Sequence, residues 1–316
     1  MAAGPVVLRV LLFIILTIGI GSVLGTLAAI GRLITPANQF TTGLFWSEAT
    51  RAIGTLLAAW VMSRLEKRRL GEYGLPLRSG QAKLFVQGAV FGIAEISAII
   101  GVLAAAGYYS FGRLEVHGAS LVKWGLFWAV VFVVVGFFEE YGFRGYIQFA
   151  LTKGFGFWAA TIVTSVIFGA VHRANPGETW PGLLGVVMVG IFWCFTLRRT
   201  GSLWFAFGMH AAFDFGETFL FSVPDSGMVF PGHLSNAVIY DGPAWLLGGT
   251  AGPEASILDF VILGIFFLVV HLMYPAKPDL PTAGATNRAA ADSAGEFAVS
   301  VETPAAGENQ RTSSEA

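Results

Sequence analysis

Two adjacent carboxylates and an arginine sit inside a stretch that otherwise reads as lipid-soluble helix: Phe137-Phe138-Glu139-Glu140-Tyr141-Gly142-Phe143-Arg144. The run before it, 121–136, carries one charge, Lys123, at its outer end, and the run after it, 145–151, carries none. An ionisable residue near the middle of a transmembrane helix costs roughly 2.5–3.5 kcal/mol on insertion scales, so three unpaired ones cost up to ~10 kcal/mol. A chain with this penalty must fold so that the charged groups meet partners away from lipid. Intramembrane ionisable residues are, by default, a candidate functional site.

The rest of the composition sets the fold class. Of 316 residues, 55% are hydrophobic and 12% charged, well below the charge content of soluble domains, about 25%. The expected fold is therefore all-α, a polytopic transmembrane helix bundle. The net charge of −1 says nothing about nucleic acid, but the sequence has no basic stripe of the kind such binding needs, so no nucleic-acid partner is expected. The single cysteine, Cys194, excludes an intrachain disulfide. Arg9 followed by an apolar run is similar to a signal peptide, but the run continues to residue 34 without a clear small-residue cleavage site. An uncleaved first span is expected.

Eight hydrophobic stretches are long enough to serve as spans, at 6–34, 43–64, 84–108, 122–150, 156–172, 181–197, 202–222 and 256–274. Residues 173–182 read as a turn-rich connection, 223–255 as a long loop rich in Pro, Gly and Asp, and 275–316 as a disordered tail. The chain thus divides into a transmembrane domain, 1–274, whose segment 120–220 carries the polar motifs, and the tail. Lys and Arg follow the second span (Arg64, Lys67, Arg68, Arg69), precede the third (Arg78, Lys83), and recur at Lys153, Arg198, Arg199 and Lys277. These residues share one side if both termini are cytoplasmic, which satisfies the positive-inside rule. The localisation expected is the cell membrane, multi-pass.

Glu140 and Arg144 are spaced i, i+4 with Glu on the N-terminal side, the favourable order for an ion pair. Glu139 points about 100° away on an α-helix, so Arg144 does not readily serve both carboxylates. An unpaired carboxylate in a low dielectric suits proton transfer near neutral pH. His172 closes Phe168-Gly-Ala-Val-His172, and His210 and Asp214 form an i, i+4 pair whose face Glu217 continues. Counted at 1.5 Å per residue from the proposed cytoplasmic ends, Glu139, His172, His210 and Asp214 lie about 16, 24, 12 and 18 Å deep. Residues at such depths on three helices imply one buried, water-filled cavity. Glu95 lies at similar depth, and its expected role is a bond to a hydroxyl or tryptophan N–H of a neighbouring helix. His117, His233 and His271 read as uninvolved, and the Phe and Trp residues as lipid-facing or interfacial.

Two chemistries fit these side chains. In one, Glu139 and His172 polarise a water that attacks a carbonyl carbon, and His210 with residue 214 donates to the developing oxyanion. Asp214 donates only when protonated, which burial beside another negative charge favours. In the other, His172, His210 and Asp214 hold a zinc ion and a remaining glutamate is the base. The His-Glu-x-x-His signature is absent.

Taken in order on successive helices, Glu139-Glu140-x-x-x-Arg144, Phe168-x-x-x-His172 and His210-x-x-x-Asp214 resemble the CPBP family of CAAX prenyl proteases and bacteriocin-processing or Abi-type membrane proteins. The resemblance covers residues 120–220. It implies an intramembrane endopeptidase with Glu139, Glu140, His172, His210 and Asp214 as its catalytic residues, in which Glu139 activates water with His172, His210 and Asp214 form the oxyanion site, and Arg144 holds the glutamates. The family has been described both as zinc-dependent and as metal-independent, and the reading favoured here has no cofactor. Many members carry Asn where this chain has Asp214. The partners implied are a peptide or protein substrate, which can be lipid-modified, and membrane lipid. The competing classes are a proton-coupled transporter and a non-catalytic membrane immunity or binding protein. Against the carrier, the halves show no repeat and no matching pair of broken helices.

Overall fold

The computed structural model describes residues 3–34, 39–175 and 177–275, so the tail beyond residue 275 lies outside the described residues. Each expected stretch forms a helix, because a backbone in lipid must satisfy its own N–H and C=O groups within the segment. In chain order these are α1 (Ala3–Ile34), α2 (Gln39–Glu66), α3 (Gln81–Ala105) and α4 (Ala119–Glu139). α4 passes through a π-helical segment (Glu140–Ile147) into α5 (Gln148–Phe155). Then come α6 (Phe157–His172), α7 (Trp180–Thr200) and α8 (Trp204–Phe215), which a second π-helical turn extends (Gly216–Leu220). The one-turn α9 (Ala244–Leu247) and α10 (Ile257–Met273) complete the set. Two-residue strands, β1 (Tyr109–Ser110) and β2 (Val238–Ile239), pair antiparallel with Tyr109 opposite Ile239.

Four helical stretches are long and apolar enough to cross a membrane: Pro5–Gly31, Gln81–Ala105, Ala119–Phe155 and Trp180–Thr200. α6 and α10 are shorter apolar helices. On α1, Leu8, Leu11, Ile15 and Ile18 are exposed, as suits a helix that presents its side to lipid. The stretch expected as the seventh span behaves differently. Its helix, α8, is twelve residues long, and every residue from Phe205 to Ala211 is buried. It is an axis of the bundle rather than a part of its surface.

Glycines let α8 lie close to α3. A Cβ on Gly88 would strike the Phe205 carbonyl, one on Gly92 the Met209 carbonyl, and one on Gly208 the Phe85 carbonyl. Small residues four apart on a helix face allow this backbone approach. Because the contacts flank His210, they set its height in the bundle. At one end, Leu203 N–H donates to the Gly74 carbonyl (2.7 Å) and Trp204 Nε1–H to that of Pro76 (3.1 Å). Nearby, the Tyr146 hydroxyl donates to Glu66 (2.7 Å) and that of Tyr141 to the Leu70 carbonyl (2.9 Å), which ties the π-helical segment to the end of α2. At the other end, Tyr109 donates to the Phe221 carbonyl (2.8 Å) and Thr250 to that of Gly177 (2.7 Å). α5 and α6 turn back on each other at Gly156, whose φ of +85° suits glycine. A buried zipper closes this hairpin: Gln148 Nε2 donates to Thr161 Oγ1 (3.1 Å), and Thr164 Oγ1 donates to Gln148 Oε1 (3.0 Å).

Candidate active site

The hairpin, the α3–α8 contact and the π-helical segment bring Glu139, His172, His210 and Asp214 to the wall of one cavity of about 450 Å³. Glu139 is the last α-helical residue before the backbone changes to the wider i→i+5 pattern. Its Oε2 stands 4.0 Å from His172 Nε2 and 3.6 Å from His210 Nε2. Both gaps exceed hydrogen-bond length, and a geometry of this kind suits one bridging water.

The second nitrogen of each histidine is fixed. His172 Nδ1 lies 2.8 Å from the Phe168 carbonyl, one helical turn back. Since a carbonyl only accepts, Nδ1 donates and Nε2 is left to face Glu139. His210 Nδ1 lies 3.1 Å from Glu140 Oε1, so it too donates, and its Nε2 faces Asp214 Oδ2 at 3.3 Å. The Trp193 ring stacks on the imidazole at 4.5 Å and 15°, holding its plane.

Glu140 and Arg144 form the expected pair, with Nη1 donating to Oε1 at 2.9 Å, and both are buried. Arg144 therefore holds Glu140 alone, and Glu139 is left to the histidines. Glu140 also carries His210, a link across 70 residues. It sits behind the cavity wall and is not among the lining residues. The guanidinium lies over the Phe168 ring at 3.9 Å and near that of Trp193 at 5.1 Å. Trp193 and Phe168 are thus part of the site, where the aromatic residues were expected to face lipid or its interface.

Two further expectations change. Glu95 meets the carboxyl of Asp259 on α10 rather than a hydroxyl or an indole, and both line the same cavity. Glu217, on the π-helical turn that begins at Gly216, is fully buried and does not line the cavity. Five charged lining residues, Asp259 among them, stand out only in the structure. Glu48 and Arg51, an ion pair at 2.8 Å on α2, stand beside Glu139 and show in the sequence as charges at i, i+3 in an apolar stretch. Asp225 and Glu254 lie in the long connection between α8 and α10, where an acid is unremarkable. Burial, then the neighbouring Asp214, holds the Asp225 carboxyl well above the usual range, and burial, then Asp225, does so for Glu254. Burial likewise raises that of Glu178. His233 pairs with Glu115 at 2.8 Å and His271 with Arg199, both away from the cavity, as expected.

Residues 121–216 match the family model for the type II CAAX prenyl endopeptidases described as Rce1-like, a branch of the CPBP family. The matched segment contains every motif residue from Glu139 to Asp214 and leaves α1 to α3 and α10 outside. It supports a protease of the CAAX type that acts in a membrane on peptide or protein substrates, and does not favour the transporter or binding-protein classes. No curated protein and no solved structure matches the chain.

Proposed function

We propose that the chain is a multi-pass intramembrane endopeptidase of the cell membrane, with eight spans and both termini cytoplasmic, whose general base is Glu139. The observation that carries this reading is the placement of Glu139 Oε2 opposite the Nε2 atoms of two histidines from two other helices, on a cavity wall. Glu139 takes a proton from water as the water oxygen bonds to the scissile carbonyl carbon. The carbonyl π pair moves onto oxygen, where His210 Nε2–H and a protonated Asp214 donate to it. With Nδ1–H donated to the Glu140 carboxylate, an imidazolium His210 keeps Nε2–H for the oxyanion. Collapse re-forms the carbonyl, breaks the C–N bond, and passes the proton from Glu139 to the leaving amine, with His172 Nε2 as relay. The products are a carboxylate and an amine.

A zinc ion, if one served as Lewis acid here, would be held by His172, His210 and Asp214 and would polarise the carbonyl. Their fixed outer nitrogens suit ligands. The closely gathered set of three or more ligand atoms among the described residues nevertheless lies elsewhere, at Glu217, Asp225 and Glu254. That favours the metal-independent version. The substrate class is a membrane-associated peptide, with a prenylated peptide as the natural first probe given the matched family.

The test compares the purified chain with Glu139→Ala in proteoliposomes, following both peptide cleavage and solute flux. A general base contributes typically 10²–10⁴-fold, so cleavage should fall by that factor while the variant still inserts and folds. Unchanged cleavage would overturn the assignment, and proton-coupled flux without cleavage would favour a carrier.

A further inference from the structure

Beneath the proposed catalytic wall lies a second polar cluster that hydrolysis does not use. Glu217 on the π-helical end of α8, Asp225 in the following connection and Glu254 in the turn before α10 each bring a carboxylate oxygen within 4.8 Å of the other two. An acidic cluster alone would mean little, but Glu217 adds a separate fact. Its residue is 0% exposed, and neither of its oxygens finds a hydrogen-bond partner among the described residues. Glu254 Oε1 is likewise unpartnered, and Asp225 accepts one bond, from Thr218 Oγ1 at 2.9 Å. The charged groups acting on Glu217 are themselves acidic: Glu254, Asp225, Asp214 and Asp259. A buried carboxylate without a donor is costly, and one surrounded by other carboxylates is more so.

We infer that Glu217, Asp225 and Glu254 form a binding site for a hard divalent cation of the Ca²⁺ or Mg²⁺ type. The donor set is all carboxylate oxygen, which suits hard cations and offers nothing to a soft one. An entry path exists, because Asp225 and Glu254 also line the cavity. The consequence is structural. The cation ties two points of the connection between α8 and α10 to the end of α8, three residues beyond Asp214. It is a clamp on the cavity wall, separate from the histidines.

This inference does not require the hydrolysis proposed above, and its test is made on protein that cannot perform it. Glu139→Gln protein is stripped with chelator, and its thermal unfolding is followed on adding Ca²⁺, Mg²⁺ or Zn²⁺. Ca²⁺ or Mg²⁺ should raise the Tm by roughly 5 °C at a hundredfold excess over Kd. The rise should vanish in Asp225→Asn and in Glu254→Gln and persist in His172→Ala. The two cluster variants also serve as each other's control, since relief of repulsion should leave them folded even if Glu217→Gln does not fold. An equal rise in the cluster variants, a rise lost in His172→Ala, or no rise with Ca²⁺ or Mg²⁺ at millimolar concentration would overturn the site. So would a response confined to Zn²⁺.

Discussion

Arg144 donates a single hydrogen bond, to Glu140, and its Nε and Nη2 find no hydrogen-bond partner among the described residues. The faces of Phe168 and Trp193 take up part of that deficit, since desolvated cation–π contacts are worth ~2 kcal/mol or more. Removing one member of a buried pair strands the other, at a cost of about 3–5 kcal/mol. Arg144→Ala should therefore lower the Tm by roughly 10 °C in thermal unfolding. A change of a degree or two would mean that Glu140 is held chiefly by His210. Gly190 tests the same pocket from the other side. A Cβ there would come within 2.6 Å of Arg144 Nη2 and 3.0 Å of Ser165 Oγ, so Gly190→Ala should displace the guanidinium and cost ~1–3 kcal/mol. The Glu140–Arg144 pair was legible in the sequence because an i, i+4 spacing depends on nothing outside one helix. The bond from Glu140 to His210 was not, because it joins residues 70 apart whose meeting depends on the packing of two helices.

The helices position the site through two devices that hydrophobic patterning does not reveal. One is the π-helical segment from Glu140 to Ile147, whose wider turn begins where Glu139 must part from Glu140. An apolar run with scattered charges looks the same whether it winds as α or π, so the sequence predicted one unbroken helix. The other is the glycine contact of α3 with α8. Gly88 and Gly92 are visible in the sequence, but the partner they admit is not. Gly92→Val would drive a side chain into the Met209 carbonyl beside His210, so we expect loss of folded protein in detergent, read as an earlier unfolding transition. Gly101→Val, on the same helix in open space, should be tolerated. Equal tolerance of both would mean that α3 and α8 are not in close register.

Across the molecule, connections before α3, at Gly156 and before α8 are expected on one side of the membrane, and those before α4, α7 and α10 on the other. Bonds within each group, such as Leu203 to Gly74 and Thr250 to Gly177, agree with that division. Because Cys194 is buried, cysteines placed at exposed Ser79 and Asp241 can report sidedness with little background. With both termini cytoplasmic, an impermeant maleimide should label Asp241→Cys in intact cells and Ser79→Cys only after permeabilisation. Labelling of both in intact cells would break the alternation. The three motifs were legible because each lies in an apolar stretch where any charge stands out. Asp225 and Glu254 were not, since loop acids stand out only once the fold buries them. Their clamp also bears on chelation: lost activity in chelator would not by itself place a metal on His172 and His210.

The proposed mechanism divides the labour between adjacent carboxylates: Glu139 faces the cavity and Glu140 holds Arg144 and His210 behind it. The most direct test sets Glu139→Gln against Glu140→Gln, with peptide-cleavage rate and Tm measured on the same purified protein. Glu139→Gln should lose 10²–10⁴-fold in kcat with its Tm unchanged, and Glu140→Gln should lower the Tm. Retained cleavage in Glu139→Gln, or activity lost there only together with the fold, would contradict it.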